Sequence, residues 1–341
     1  MHIDLRSDTI TRPTSPMLEA MFRARVGDDV FGEDPTVCEL EEKAADMLGM
    51  EAGLFCASGT MCNQVAIRIH TRPQDELICD HKSHIYLYEG GGIACNSGVS
   101  VMLLQCERGI IKAAEVEEAL KPADLHYPRT RLVCLENTMN KGGGSIYKLN
   151  DIKAIHTVCQ SRGLAMHLDG ARLFNALVET GEDAREYGMY FDTISICLSK
   201  GLGAPVGSVL VGSRALMSEA RRVRKVFGGG WRQAGYLAAA GIYALDHHIE
   251  RLREDHRRAR VIARHLAEQN WVSEIMPVET NIVIFRLKGN LKAAEMVSLM
   301  HKHGILSVPF GKQEVRLVTH LDFDDDMLND FSIRLRDIRP L

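Results

Sequence analysis

The stretch Thr193 to Ser213, TISICLSKGLGAPVGSVLVGS, constrains this chain more than any other. An apolar, β-branched run, Thr193-Ile194-Ser195-Ile196-Cys197-Leu198, predicts a short buried strand that stops at Ser199-Lys200. Gly201-Leu202-Gly203-Ala204-Pro205-Val206-Gly207 holds too much Gly and Pro to continue as strand or helix, and Ser208-Val209-Leu210-Val211 predicts a second strand. One lysine is thus placed at the tip of a buried strand, in a turn whose glycines let backbone or ligand come close. An ammonium resists burial without a partner, so the position asks for an explanation.

From its surroundings alone Lys200 admits several readings. Most lysines at strand ends are plain surface charges. A phosphate-binding Walker loop places its glycines before the lysine and Ser or Thr after it, and here the order is reversed. A dinucleotide fingerprint fails too: the glycine after Gly201-x-Gly203 comes one place late, and Pro205 leads into a strand where a helix should open. There remains a Schiff-base lysine, lowered in pKa by its surroundings and holding a carbonyl cofactor. The run Leu164-Ala165-Met166-His167-Leu168-Asp169-Gly170-Ala171-Arg172 supports this with another short strand, ending in Asp169. Pyridoxal phosphate enzymes pair a Schiff-base lysine with an acid on the pyridinium nitrogen. Both groups would leave neighbouring parallel strands at the edge where α/β ligands bind. Taken alone, Asp169 is equally a cap or turn residue.

Six blocks carry a resemblance over nearly the whole chain. Asp4-Leu5-Arg6-Ser7-Asp8-Thr9, Gly27-Asp28-Asp29-Val30-Phe31-Gly32-Glu33-Asp34-Pro35-Thr36, Ser58-Gly59-Thr60-Met61, His167-Leu168-Asp169-Gly170-Ala171-Arg172, Ser199-Lys200-Gly201-Leu202-Gly203 and Arg316-Leu317-Val318-Thr319-His320 resemble the signature blocks of the low-specificity L-threonine aldolases. The resemblance implies a fold type I pyridoxal 5'-phosphate enzyme of α/β class. Its layout would be a mostly parallel seven-stranded sheet in a large domain, residues 1–245 including an N-terminal segment 1–35, and a smaller C-terminal α+β domain, residues 246–341. It also implies a homotetramer built from tight dimers with active sites shared between subunits.

Composition agrees. A chain of 341 residues, 45% hydrophobic and 25% charged, is long enough for two domains and a sizeable core. A net charge of −4 offers nothing to nucleic acid or an anionic membrane. The sequence is polar by Asp4 and has no long apolar run, which predicts neither a signal peptide nor a membrane span. Nine cysteines lie scattered in strand-like runs without C-x-x-C, which predicts reduced, buried thiols in a cytoplasmic protein. The histidines show no H-E-x-x-H, and His81 with His84 is not read as a metal pair.

In chain order, a helix is expected at Ser15 to Arg25, then one from a Thr36-x-x-Glu39 capping box through Leu48, closed by Gly49. Strands are expected near Gly53–Ala57, Glu76–Cys79, Ser100–Cys106, Arg131–Glu136, Leu164–Leu168, Thr193–Leu198 and Ser208–Gly212, with helical patterns in most gaps. That alternation predicts a parallel sheet covered on both faces, with Ser208 opening the one antiparallel return. A long helix is expected from Arg232 to Gln269, then strands at Asn281–Leu287 and Glu314–Val318 flanking a helix from Leu291 to His303.

The remaining polar groups take roles from the resemblance. Ser58-Gly59-Thr60 follows a strand and opens a helix, where free amides suit a phosphate, and the family binds phosphate at the turn matching Gly59 and Thr60. Arg232, in Gly228-Gly229-Gly230-Trp231-Arg232, matches an arginine that reaches the phosphate from a neighbouring subunit; its alternative is a surface charge at a helix start. His84 matches the histidine stacked on the pyridine face, and Glu89 lies where the family's candidate base is found. His126 matches a histidine near the substrate hydroxyl. Arg172 and Arg316, with Ser7 assisting, match a clamp for the amino-acid carboxylate, which a planar guanidinium fork suits. Arg172 has the cofactor as an alternative partner, and an internal salt bridge is the ordinary fate of either. The implied reaction on this small-molecule substrate is retro-aldol cleavage of L-threonine, L-allo-threonine or related β-hydroxy-α-amino acids to glycine and an aldehyde. One departure stands out: Glu136-Asn137-Thr138-Met139-Asn140 has Met139 where the family commonly has His. Met139 cannot carry a proton, and if it lines the pocket, a bulkier or more apolar β-substituent would be accepted. A β-eliminating lyase and a non-catalytic homologue stay open, although Lys200, Asp169 and Arg316 together weigh against the second.

Overall fold

The structure, a computed structural model, describes residues 2–340. Its strands in chain order are β1 (Ile3–Asp4), β2 (Ala52–Cys56), β3 (Asp75–Asp80), β4 (Ser100–Leu104), β5 (Arg129–Glu136), β6 (Ala165–Gly170), β7 (Thr193–Cys197), β8 (Ser208–Gly212), β9 (Val272–Ile275), β10 (Ile282–Leu287), β11 (Ile305–Leu306), β12 (Val308–Pro309) and β13 (Glu314–Val318). Seven of them form one sheet in the order β2-β8-β7-β6-β5-β3-β4. Only β8 runs against the rest, antiparallel to both β2 and β7; the other pairs are parallel.

Parallel strands covered on both faces are buried throughout, and the sequence shows it as apolar runs without alternation. Every residue of β3, β7 and β8 is buried. All five mutually parallel strands of the middle and one edge, and β2 as well, deliver their carboxyl ends to a single side of the sheet. Asp80, Glu136, Asp169 and Cys197 are the last or penultimate residues of β3, β5, β6 and β7, so four chemically active side chains are brought to one edge by topology alone.

The second unit is an antiparallel sheet, β12-β13-β10-β9, covered by the helices Leu252–Ala267, Ala293–Lys302 and Asp325–Asp337 around Phe285, Leu317 and Phe331. The chain's opening residues belong to this core: β1 pairs with β11, and Ile3 and Leu5 are buried in it. We propose that the chain divides between the helix Gly235–His247, whose Ala238, Ala240 and Ala244 sit in the large core, and the helix Leu252–Ala267, whose Ala259, Ile262 and Leu266 sit in the small one.

That break corrects the expectation of one helix from Arg232 to Gln269. Helical periodicity continues through the region, but buried His248 donates from Nδ1 to the carbonyl of Leu202 at 2.7 Å, anchoring the chain where the helix would continue. The capping box at Thr36 is also replaced. Asp34 is the cap, accepting from the amides of Thr36 and Val37 at 3.2 and 3.1 Å, with Pro35 opening the helix Pro35–Met47. The hydroxyl of Thr36 instead donates to the carbonyl of Arg25 at 2.6 Å. Strand β9 was not foreseen, since its central pair is exposed and its pattern is too short to read. Among the described residues no helix is long and apolar enough to cross a membrane.

Buried Asp34 also accepts from the amide of Gly235 at 2.8 Å, tying two helices together. Asp34→Ala leaves three amides unsatisfied, so a loss of about 2 kcal/mol is expected in urea unfolding, the upper end of the range for a cap.

Candidate active site

Lys200 follows β7 in the turn that the glycines make, and its Nζ donates to Cys197 Sγ at 3.3 Å. The same sulfur accepts from Ser208 Oγ at 3.2 Å. A β-carbon on Gly59 would lie 2.7 Å from it, so only glycine lets the helix Gly59–His70 start this close to the lysine. At that start Ser58 Oγ caps the amide of Met61 at 3.2 Å, and the amides of Gly59 and Thr60 have no partner among the described residues. An anion beside Lys200 would find two free donors and the positive end of a helix.

Burial disfavours the Lys200 ammonium, yet its pKa is held above the ordinary lysine value, because Cys197, Asp169 and Asp8 outweigh burial and the opposing Arg172. This corrects the expectation of a lowered value, which considered desolvation without the acids that the fold brings alongside.

Asp169, the penultimate residue of β6, is buried and accepts from the amide of Ala171 at 3.1 Å and from Asn63 Nδ2 at 2.8 Å. The same Nδ2 donates to Glu89 Oε1 at 2.9 Å, and Gln64 Nε2 donates to the other oxygen of Glu89 at 2.7 Å. His84 Nδ1 donates to Glu89 Oε1 at 3.0 Å. His84, Glu89 and Asp169 each bring one polar atom within 4.8 Å of the others. Burial works against the His84 imidazolium, but Glu89, Asp169 and Glu136 together raise its pKa above the ordinary value. Glu136, fully enclosed, accepts from the amides of His84 and Asn140 at 2.7 and 2.9 Å. Burial first, then the neighbouring charge of Asp169, pushes its carboxyl up to about 7.

The two arginines differ. Arg172 Nε and Nη2 clasp Asp8 at 2.7 and 2.6 Å, and although burial opposes it, Arg172 holds the Asp8 carboxyl well below its ordinary range. Arg172 therefore makes the internal salt bridge, which leaves Nη1. Arg316 Nη1 donates to Asn140 Oδ1 at 2.8 Å and Nη2 to the carbonyl of Arg6 at 3.0 Å, while Nε is buried without a partner. Burial and the nearby Arg172 push Arg316 down to about 10. A desolvated guanidinium with an orphan N–H and no carboxylate is a receptor for an anion. Ser7, next to the carbonyl that Arg316 holds, accepts from the Thr9 amide at 3.3 Å.

Three expected residues lie elsewhere. His126 is exposed and bonded to Asp124 at 2.6 Å, in none of these networks. Arg232 is exposed and paired with Asp28 at 2.9 Å. Met139 is fully buried, and a β-carbon on Gly109 would lie 2.6 Å from its Cγ and Cε, so Met139 is packed into the wall and cannot line an open pocket. Trp231 packs edge-on against Phe55 at 5.1 Å. His81 and His84 do not form a pair, since His81 Nδ1 donates to the carbonyl of Leu104 at 3.1 Å. Asp8, Glu136 and Cys197 stand in the stretches described above without a role, and Asn63 lies just beyond the Ser58 turn. The signal for Glu136 and Cys197 was their place at the ends of apolar strands.

Buried His167 has its pKa pushed down to about 4 by burial. From its ordinary 6.5 down to about 4 the unfolded chain binds the proton and the folded chain does not, so stability is lost as pH falls through that window. Glu136 has the opposite sign: raised from 4.5 to about 7, it costs stability as pH rises through that span. His167→Gln removes the first effect and leaves the second. Between about pH 5 and 7 the urea midpoint of the cofactor-free variant should therefore fall relative to that of the parent, since the other shifted groups are common to both.

A family model described as beta-eliminating lyase matches residues 4–290. The chain is 43% identical over 337 residues to the low specificity L-threonine aldolase of Escherichia coli (strain K12), covering 98% of each. It is 39% identical over 325 residues to low-specificity L-threonine aldolase 1 of Arabidopsis thaliana, covering 93% of this chain and 91% of that relative. It matches the structure of Leishmania major threonine aldolase with a TM-score of 0.85 over 98% and 99% of the two chains, at 21% identity, which speaks to the fold. With relatives this alike from end to end, and a sheet edge that gathers the residues of its signature blocks, the chain belongs to the low-specificity L-threonine aldolases and is a lyase of the beta-eliminating lyase family.

Proposed function

We propose that the chain binds pyridoxal 5'-phosphate at this edge and cleaves β-hydroxy-α-amino acids, L-threonine and L-allo-threonine among them, to glycine and an aldehyde. One observation carries the reading: a half-buried lysine, a buried carboxylate and two free helix amides converge on one end of one sheet. Lys200 Nζ would hold the cofactor's aldehyde carbon, Asp169 its ring nitrogen, the amides of Gly59 and Thr60 its phosphate, and the His84 ring one face. When bound, the cofactor supplies an electron sink for the bond broken at Cα. The names of the curated relatives support the same reaction.

The chain's own residues do the rest. Arg316, with its orphan Nε, takes the substrate carboxylate, and Asn140 and the carbonyl of Arg6 fix its plane. Arg172 has only Nη1 to add, and Ser7 stands beside the clamp. A held carboxylate decides which Cα bond is presented for cleavage. Glu89 ties up His84 Nδ1, leaving Nε2 to take the β-hydroxyl proton and return it, directly or through water. Asp169, held by Asn63 and the Ala171 amide, would keep the cofactor's ring nitrogen protonated. His126 keeps a place in this scheme only if a neighbouring copy presents it.

A second copy has support. Phe22, Phe31, Val226 and Leu125 are 83%, 72%, 82% and 92% exposed, an unusual cost for apolar side chains facing water. Arg232 sits on the same surface-exposed footing, free to exchange Asp28 for a partner's phosphate. A homotetramer of dimers with shared sites would cover these groups. Nine free cysteines support a reducing, cytoplasmic setting.

Purified protein supplied with pyridoxal phosphate is expected to release glycine and aldehyde from L-threonine, L-allo-threonine and L-β-phenylserine; pyruvate and ammonia instead would turn the assignment to elimination. Lys200→Ala should lose the borohydride-reducible visible band. Arg316→Ala should raise KM for L-threonine about 100-fold, the loss of a charge-assisted pair of about 3 kcal/mol. Dilution that splits the oligomer should abolish activity, and full activity in a monomer would exclude shared sites.

A further inference from the structure

The helix Gly59–His70 covers the face of β6 and β7 that carries the site. Asn63 and His70 stand two helical turns apart and share its inner side. His167 and Asp169 alternate onto the same face of β6, and Thr193 and Ser195, their register partners, onto that of β7. The six side chains therefore meet in one buried layer.

Their contacts form a single line. His70 Nε2 is 3.0 Å from Thr193 Oγ1, which is 3.0 Å from His167 Nδ1. His167 Nε2 is 3.1 Å from Asn63 Oδ1, and Asn63 Nδ2 reaches both Asp169 Oδ2 at 2.8 Å and Glu89 Oε1 at 2.9 Å. The direction of every bond can be worked out from the end that faces the site. Two carboxylates need donors, so the amide nitrogen of Asn63 must face them and its oxygen must face away. That oxygen only accepts; it takes the hydroxyl of Ser195 at 2.8 Å and requires Nε2–H of His167. Burial keeps His167 neutral, so its Nδ1 is bare and accepts the hydroxyl proton of Thr193. The oxygen of Thr193 is then left to accept from Nε2–H of His70. All donors point toward the site, and His70 ends the line in a cleft at the opposite edge of the sheet, beside Asp75, Arg129 and Arg131.

We propose that Thr193, His167 and His70 are positioning residues, a one-way hydrogen-bonded line that locks the amide of Asn63 so that its two N–H groups hold Asp169 and Glu89 for the cofactor. The role rests on the cofactor reading above. Without the Thr193 hydroxyl, His167 keeps Nε2–H on the Asn63 oxygen but loses the donor at Nδ1, so the ring is held at one end only. A ring free to swing no longer fixes the plane of the Asn63 amide, and its two N–H groups hold Asp169 and Glu89 less firmly.

The test begins on cofactor-free, 15N-labelled protein, where long-range proton–nitrogen spectra give the tautomers. His167 and His70 are expected as Nε2–H; His167 found as Nδ1–H overturns the proposal without any variant. Thr193→Val is expected to leave His167 as Nε2–H but to shift its Nδ1 resonance as the hydroxyl donor is lost, and to weaken pyridoxal phosphate binding, followed by visible absorbance, at least tenfold. Thr193→Ser, which keeps the hydroxyl, is expected to bind within twofold of the parent. Binding by Thr193→Val as tight as the parent's, or by Thr193→Ser as weak as that of Thr193→Val, overturns it, the latter by assigning the effect to packing. Neither readout involves amino-acid cleavage, so failure here and failure of the aldolase reading are separate results.

Discussion

A carboxylate inside a protein has to be given donors, and this fold is arranged around that demand. Asp8, Glu89, Glu136 and Asp169 are all buried, and each is met differently. Asp8 has a guanidinium, Asp169 and Glu89 share one amide, and Glu136 has two backbone N–H groups. The differences set their charge: the guanidinium holds Asp8 down, whereas Glu136, with no cation clasping it, rises to about 7. Four acids in one interior would repel the fold apart without this division of donors.

The same demand joins the two cores. Asp8 lies in the N-terminal segment, Arg172 just beyond β6, and Asn281 just before β10, and Asn281 Nδ2 also donates to Asp8 at 3.2 Å. One ion pair thus reaches from the large sheet to the small one through the opening residues, which themselves pair with β11. Arg316 on β13 completes the arrangement by gripping the carbonyl of Arg6 and Asn140 of the large unit. An arginine held by neutral groups on both sides keeps its charge for a ligand. Arg172, clasped by a carboxylate, has largely given its charge away.

Much of this was legible in the residues. Strand ends with Lys200 and Asp169 announced themselves because a buried apolar run that stops at a charge is rarely accidental, and period and turn chemistry located all seven strands of the large sheet to within a few residues. The ends drifted where polarity and pattern disagreed: β5 began two residues earlier than its apolar run, in the polar Arg129-Thr130. Helix caps were less legible. Thr36 and Glu39 had the spacing of a capping box, but buried Asp34 outcompeted them because it could also reach Gly235, far along the chain. Met139 misled for a similar reason: its position beside Glu136 suggested the pocket, while the packing of Gly109 against it decided for the wall.

The sequence by itself determined the alternation of strands and helices, the chemical groups at the strand ends and the glycine that lets a helix start against Cys197, because these depend on neighbours in the chain. Tertiary structure alone decided that Lys200 is held above its ordinary pKa, that Arg172 is spent on Asp8 while Arg316 is not, and that Asn63, His167, Thr193 and His70 meet in one layer. Charge and hydrogen-bond direction depend on groups distant in sequence, and no local pattern records which of them the fold will bring within 3 Å.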